Sequence, residues 1–475
     1  MITTNDDTIV APATPAGKGA LSILRMSGPE ALAIADSVWS GTTLSKCPSH
    51  TVHLGYIKDE QGNSLDQALA TVFVAPNSFT GENSVEFTLH GSPWILREVT
   101  NLLLRKGARG AQPGEFSQRA YINGRMDLAS AEGVADLIAA SSRAAHRLAM
   151  QQTKGVFSKE FNALRDKLIE LASLLELELD FSEEDVEFAD RTTLLSISRE
   201  LLAKIERLTK SYSTGRAFKE GVPVVIAGIP NVGKSTLLNT LLQEEKAIVS
   251  DIPGTTRDVI EDTCEIDGVL FRFVDTAGLR ESDDKIESIG IDLARQRLAQ
   301  AAIVLWLIDP SAPAQPQIEE MVSSTGSLPE DRCLIPVIAK TEAGDISPLL
   351  LDEIESRITA AIENGGLKCQ THKTLRISSK EGTGIDTLCT ALKESATREY
   401  NPEEELILTN ARHYGDLQKA ADALRRAITQ TASGVTPDFI AMDIREATAA
   451  LSSLTGAITT PDLLASIFTH FCVGK

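Results

Sequence analysis

The chain has 475 residues, 42% of them apolar and 5% aromatic, with a formal net charge of −20. That length exceeds a single hydrophobic core and predicts two or three domains, while the charge argues against coating nucleic acid through a general positive field and leaves open a local basic patch or a basic partner. Six cysteines at no zinc or redox spacing (Cys47, Cys264, Cys333, Cys369, Cys389, Cys472), an acidic start at Asp6 and Asp7 without an apolar leader, and no apolar stretch of membrane length predict a cytoplasmic protein with free thiols and no membrane partner.

From Thr8 to about Gly114, short β-rich runs alternate with glycine and proline. Ile9-Val10, Leu21 to Leu24, Ala68 to Val74 and Val85 to Leu89 read as strands, and Ala31 to Trp39 and Ile95 to Lys106 as helices. This predicts a small α+β domain. From Ala135 to Thr214 there is one glycine, Gly155, and no proline. Leu164, Leu168, Leu171 and Leu175 recur at helical spacing with charged residues between them, as on the buried stripe of a helical bundle or long hairpin. Helical signal returns from Leu406 to Gln430 and from Asp443 to Leu454. Between the helical stretches, Val222 to Ile226, Phe271 to Val274, Ile303 to Ile308 and Leu334 to Ile338 are short apolar runs, each followed by a loop and helix-like sequence. That pattern predicts a mostly parallel α/β sheet. The expected architecture is an N-terminal α+β domain over 1–119, a helical domain built from 120–214 and 400–475, and an α/β domain inserted over 215–399.

The inserted domain carries the clearest chemistry. Gly228 to Ser235 matches the phosphate loop G-x-x-x-x-G-K-[ST] in full, after a predicted strand and before a predicted helix, Thr236 to Leu242. The glycines let backbone N–H groups face phosphates, which brings in Asn231, Val232, Gly233 and Thr236. Lys234 neutralises the outer phosphates, the helix N-terminus favours the anion, and Ser235 is the expected Mg²⁺ ligand. Asp275-Thr276-Ala277-Gly278 ends the strand Phe271 to Val274. An acid there holds the Mg²⁺ shell, and Gly278 brings an N–H to the terminal phosphate. Between these motifs lies Asp251-Ile252-Pro253-Gly254-Thr255-Thr256-Arg257-Asp258, with Thr256 placed to complete the magnesium shell. Each motif alone is an ordinary turn. The three in this order, with strands before the first and third, point to a P-loop GTPase domain that binds GTP and GDP.

Leu279 stands where small signalling GTPases carry a water-orienting glutamine. Asn231 together with the Gly254 to Asp258 stretch resembles GTPases that hold a potassium ion beside the phosphates, an ion that supplies the charge an arginine finger supplies elsewhere. Asn231 taken alone reads rather as a turn former with no ligand role; beside the Gly254 to Asp258 stretch the ion is favoured.

With these motifs on the page, further ones extend along the whole chain: Ala16 to Ala20, Arg25 to Pro29, Ser78 to Glu82, Pro113 to Ala120, Asn123 to Leu128, and Phe471-Cys472-Val473-Gly474-Lys475. On them the chain resembles the TrmE (MnmE) family of tRNA-uridine modification GTPases from end to end. The resemblance implies installation of an aminomethyl-type group on the wobble uridine of tRNA, together with a flavin-containing MnmG/GidA-like partner enzyme. It implies a homodimer formed through the N-terminal domain, and binding there of formyl-tetrahydrofolate or a related reduced folate by Arg25, Glu82, Arg125 and Lys475. Arg125 replaces the family's lysine; the charge survives, on a larger and flatter group. Asn231, Ser250, Ile252 and Thr255 match potassium ligands, and Ser250, Asp251, Pro253 and Gly254 fall on the nucleotide-contacting loop. Glu287 matches the water-orienting glutamate. Cys472 matches a candidate for redox or nucleophilic chemistry, although a lone cysteine is more often structural.

The chain departs from the family where Asn-Lys-x-Asp reads the base. It has Ala339-Lys340-Thr341-Glu342, with Lys340 and Glu342 as the remaining base-reading positions. Ser378-Ser379-Lys380 matches the loop that reads guanine mainly through its backbone. The competing expectation is a ribosome-assembly GTPase switch of the same potassium type. It calls for a KH-like domain or a basic tail, and neither is present in the sequence. A folate-binding scaffold with a degenerate G domain is suggested by Ala339 and opposed by Lys234, Ser235, Thr256 and Asp275.

Overall fold

The computed structural model describes residues 7–180, 191–244, 261–274, 297–343, 346–398, 405–469, 471 and 474. The chain forms two compact units. One comprises Met1–Ala139, Ala149–Ile205 and Gly415–Lys475, the other Ala140–Leu148 and Glu206–Tyr414.

In the first unit, seven strands form one sheet: β1 (Ile9–Pro12), β2 (Leu21–Ser27), β3 (Trp39–Ser40), β4 (Thr51–Lys58), β5 (Ser64–Phe73), β6 (Ser84–His90) and β7 (Arg109–Gly110), in the order β3-β4-β5-β6-β2-β1-β7. Pairing is antiparallel except between β1 and β7. One face buries Leu24, Met26, Ala70, Val72 and Phe87 with residues of the helices Ala31–Val38 and Pro93–Arg105. The other face is different. Leu21, Val52, Leu54, Tyr56 and Leu69 are all exposed there, with Leu54 facing Leu69 across the β4–β5 pair. Because side chains alternate across a strand, the apolar residues of β4 point away from the core and its Gly55 and Ile57 point toward it.

The same unit holds a helical layer. Helix Val156–Asp180 packs along Pro437–Thr455, and Leu164, Leu168, Leu171 and Leu175 are each 2% exposed or less. The expected unbroken stretch from Ala135 to Thr214 is interrupted: helices Leu128–Ala139, Arg143–Thr153, Val156–Asp180, Arg191–Lys210 and Tyr212–Glu220 follow one another. Gly155 supplies the left-handed residue (φ +72°) at one break. Leu128, Ala131, Leu464, Phe468 and Phe471 form a separate apolar cluster with the short helix Pro461–Phe468.

In the second unit, the strands are β8 (Val222–Ala227), β9 (Glu261–Ile266), β10 (Val269–Val274), β11 (Ile303–Ile308), β12 (Cys333–Ile338), β13 (Gln370–Thr371) and β14 (Leu375–Arg376). The order is β13-β12-β11-β8-β10-β9, with β14 also pairing β12. All these pairs are parallel except β9 with β10, so the sheet is mostly parallel with one antiparallel edge. β11 and β12 are buried along their whole length, as strands covered on both faces must be. Helices Lys234–Glu244, Ala314–Thr325, Pro348–Asn364 and Ile385–Thr397 belong to this unit. The helical signal from Leu406 starts late. Residues 405–410 are neither helix nor strand, Ile407 and Leu408 are buried, and the helix Ala411–Ala432 begins where the Asn410 side chain accepts the N–H of Arg412 at 2.8 Å.

Candidate functional site

The phosphate loop joins the carboxyl end of β8 to the helix Lys234–Glu244, which starts two residues before its expected first turn. The loop's shape follows from its glycines and one asparagine. Gly228 has φ +135°, and a Cβ there would lie 2.4 Å from the Leu307 carbonyl oxygen on β11. Gly233 has φ +111° with open space around it, as a backbone that must admit a ligand requires. Asn231 is left-handed (φ +59°) and exposed, and Val232, fully buried, pins the loop to the sheet. Lys234 folds over the loop, its Nζ donating to the carbonyls of Gly228 (2.7 Å) and Ile229 (2.9 Å). Burial pushes its ammonium below the ordinary lysine pKa, against the charge of Glu320. An anion beside Lys234 would reverse that shift. Ser235 and Thr236 are exposed on the first helical turn.

The residues at the expected base-reading positions converge from two further loops. Lys340, after β12, is left-handed (φ +54°) and its Nζ bonds Asp309 Oδ2 at 2.7 Å. Asp309 directly follows β11; burial alone would raise its carboxyl pKa, but the Lys340 and Ser311 hydrogen bonds outweigh that and lower it. Ala339 is 3% exposed and belongs to the core, its N–H bonded to the Ile308 carbonyl. Glu342 is half-buried, and its Oε2 is buried with no hydrogen-bond partner among the described residues. A buried carboxylate oxygen left unpaired is costly, and one in this loop suits an acceptor for a ring N–H and amino group. Ser378 is buried and ties its own loop through Thr383 and Glu381, with Ser379 half-buried and Lys380 exposed. The Ser379 carbonyl accepts from Thr240 Oγ1 at 3.0 Å, which fastens this loop to the phosphate-loop helix. The structure thus brings Asn231 to Thr236, Lys340, Glu342 and Ser378 to Lys380 together on one side of the sheet, at the carboxyl ends of β8, β11 and β12.

The first unit gathers a second set of residues. Arg25 on β2 bonds Glu86 Oε1 through Nε at 2.8 Å, lies between the Phe79 and Phe116 rings (5.4 and 5.8 Å to the centroids), and donates to the Gly474 carbonyl at 3.4 Å. Glu82 accepts from Ser27 Oγ at 2.7 Å and from Arg119 at 3.3 Å. Arg119 is 3% exposed and also bonds Asp7 and Glu115, while Arg109 pairs with the same two acids. Arg125 is exposed, and its stem lies over Gly81, where a Cβ would be 3.3 Å away. Asn123 Nδ2 holds the Thr80 carbonyl at 2.7 Å. Arg25, Glu82 and Arg125 therefore surround one loop, Ser78 to Glu82. Arg119, Ser27 and the two phenyl rings were not singled out from sequence. All four fall inside quoted motifs, but only the fold reveals which neighbour each one supports.

Gly474 reaches this site because nothing larger fits: it has φ +94°, and a Cβ would lie 2.1 Å from the Pro12 carbonyl oxygen. Gly114 (φ +68°) is similarly closed by the Phe468 carbonyl at 2.4 Å. Ser250, Asp251, Ile252, Pro253, Gly254, Thr255, Thr256, Asp275, Thr276, Ala277, Gly278, Leu279, Glu287, Cys472 and Lys475 lie outside the described residues. Among the described residues, no helix is long and apolar enough to cross a membrane, and no cluster of three or more His, Cys, Asp or Glu is placed to hold a metal.

Comparison with known proteins bears on both regions. Residues 8–125 match the family model described as the GTP-binding protein TrmE N-terminus, and 128–472 match the MnmE helical domain. A relative from Cytophaga hutchinsonii, described as tRNA modification GTPase MnmE, is 46% identical over 100% of this chain and 99% of its own length. Relatives with the same description from Bacteroides thetaiotaomicron and Porphyromonas gingivalis are 47% and 44% identical, each over 99% of this chain and 100% and 98% of their own lengths. At that identity across the full length, with the phosphate loop built as its motif demands, the chain belongs to the MnmE family of tRNA modification GTPases.

Proposed function

We propose that this chain hydrolyses GTP in the modification of wobble uridine in tRNA, installing an aminomethyl-type group together with a flavin-containing, MnmG/GidA-like enzyme. The observation that carries the reading is the phosphate loop on β8 with Lys234, Glu342 and the Ser378 loop around it, in a chain similar along its whole length to tRNA modification GTPases. In this reading Ser235 ligates Mg²⁺ with Thr256. Potassium sits beside Asn231, Ser250, Ile252 and Thr255, and Glu287 orients the water. The left-handed, exposed Asn231 favours a ligand role, since its side chain is not consumed by a described hydrogen bond.

The N-terminal part, 1–119, is proposed to dimerise and to bind a reduced folate, with 120–214 and 400–475 as the helical domain and 215–399 as the G domain. The exposed apolar face of β4 and β5 supports dimerisation, because such a face is costly in water and a second copy offers the same face in return. For folate, Arg25 and Arg125 supply charge for its carboxylates, Glu82 an acceptor for its pterin edge, and Phe79 and Phe116 flat apolar surface. Lys475 and Cys472 are assigned to the same site by similarity.

Turnover of GTP in K⁺ and in Na⁺, followed by wobble-nucleoside analysis in a deletion strain carrying Glu287→Ala, tests the whole reading. Turnover is expected to collapse in Na⁺, and Glu287→Ala to lower turnover with nucleotide affinity nearly intact and the modified nucleoside depleted. Equal rates in the two salts remove potassium from the mechanism, and an unchanged nucleoside profile in the deletion strain removes tRNA.

A further inference from the structure

Open α/β sheets bind their substrates beyond the carboxyl ends of the strands, and the nucleotide residues here obey that rule. A cavity of the second unit lies at the opposite end. It has a volume of about 630 Å³ and is lined by residues at the amino ends of β8, β11 and β12, among them Val222, Ile303 and Cys333. β8 has six residues, so roughly 20 Å of strand separates this cavity from the phosphate loop. That volume suits a small organic ligand.

The charge of its wall is unusual for a chain of net charge −20. Four arginines, Arg216, Arg272, Arg332 and Arg398, line it against two acids, Glu220 and Asp331. Arg216 is neutralised by Glu220 at 2.9 Å. Asp331 stands 3.7 Å from Arg332 Nε, too far for a hydrogen bond, and that Nε is buried with no hydrogen-bond partner among the described residues. Arg398 makes no hydrogen bond or ion pair with a described residue. It lies close enough to Cys333 to act on its thiol, and Cys333 Sγ in turn lies 3.4 Å from Ser395 Oγ. Arg332 and Arg398 thus both line this wall, with no hydrogen bond to another described residue engaging their guanidinium groups. Phe218, Val222, Pro223 and Ala396 supply an apolar floor beside them.

We propose that this cavity is a second ligand site, for a small phosphate-bearing anion, separate from the GTP site. Guanidinium groups bind phosphate bidentately, and four arginines against two acids leave the wall an excess of two positive charges, which matches a ligand of charge two or more. The buried Cys333 is not a nucleophile here, because burial raises its thiol pKa, so the site binds without reacting.

Titration calorimetry of the full-length protein, saturated with GDP and Mg²⁺, tests this with inorganic pyrophosphate as the probe and citrate as a second arm. GDP keeps the phosphate loop occupied, so any remaining binding is elsewhere. Pyrophosphate is expected to bind, and Arg332→Gln with Arg398→Gln to weaken it tenfold or more while leaving GDP affinity unchanged. Arg398→Glu, a single change at an exposed helix end, serves as the milder variant and is expected to weaken it comparably. No binding to the GDP-saturated protein overturns the proposal. So does binding that both variants leave unchanged, and citrate binding without pyrophosphate binding overturns the phosphate class.

Discussion

Glu342 is proposed to compensate for a missing neighbour. The asparagine of the usual base-reading motif is replaced by Ala339, a core residue that has no side-chain hydrogen bond to offer. In the proposed reading, guanine selection then falls on the Glu342 carboxylate, whose Oε2 is buried and unpaired among the described residues, and on the backbone around Ser379. Hydrogen bonds to a charged group are worth about 1.5–3 kcal/mol each. Glu342→Ala is expected to weaken GDP binding by at least about tenfold and to let ATP compete, read by displacement of a fluorescent guanine nucleotide. Unchanged affinity and undiminished rejection of ATP would move base selection to the backbone alone. A second prediction concerns Glu115, 7% exposed between Arg109 and Arg119. Burial alone would raise its pKa. The Arg109 hydrogen bond, the Gln112 N–H and Arg119 outweigh that and hold it below its ordinary 4.5. A carboxyl depressed by folding stabilises the fold above its unfolded pKa and loses that contribution as pH falls through its folded value. Glu115→Gln is thus expected to cost roughly 3 kcal/mol at neutral pH. The gap to wild type should narrow below about pH 4.5 in urea-unfolding midpoints. A gap independent of pH would mean that the amide disturbs packing rather than charge.

At the scale of elements, the phosphate loop offers a comparison between two glycines. Both have positive φ, so alanine at either position is strained by about 1–3 kcal/mol. Gly233 has nothing within 4 Å of its missing Cβ, whereas Gly228 has the β11 backbone at 2.4 Å. Gly228→Ala must also part β8 from β11, and its thermal midpoint is expected to fall well below that of Gly233→Ala. The reverse order would show that strand spacing adapts without cost. The same contrast between local and distant causes explains what was legible in the sequence. β8, β11 and β12 were readable as unbroken apolar runs because both faces of each are covered, and the phosphate loop because its residues are consecutive. β3, β7, β13 and β14 have two residues each, too few for any period to emerge. β4 was hidden for another reason: its apolar residues point outward, so the usual pattern is inverted. The ion network of Asp7, Glu82, Arg109, Glu115 and Arg119 joins residues up to 112 positions apart, and no spacing rule reports that.

For the whole molecule, the exposed face of the first sheet is the feature with the widest reach. Val52, Leu54 and Leu69 leave their apolar surface to solvent next to one another. In the dimer proposed above, Leu54→Asp puts two charges into a self-complementary surface, one from each copy. It is expected to shift the protein to a monomer in sedimentation equilibrium, with little change in the unfolding midpoint of the isolated subunit. A dimer that survives Leu54→Asp would place the contact elsewhere. The effect should be confined to association, because Leu54 is 66% exposed and belongs to no core cluster.

The docking of Gly474 against Pro12 also sets a clock. These residues close one compact unit, yet the entire second unit is encoded between them. A ribosome adding about 5–20 residues per second takes roughly half a minute to a minute and a half to travel that distance. Once Gly110 has been made, the first sheet must persist through most of that interval without Phe471 over Gly114 and without the Gly474 carbonyl beside Arg25. The residues 206–414 are made in one run and have most of their partners at once. The nascent chain therefore has all of 206–414 before Gly474 can dock beside Arg25, although Arg25 was made far earlier.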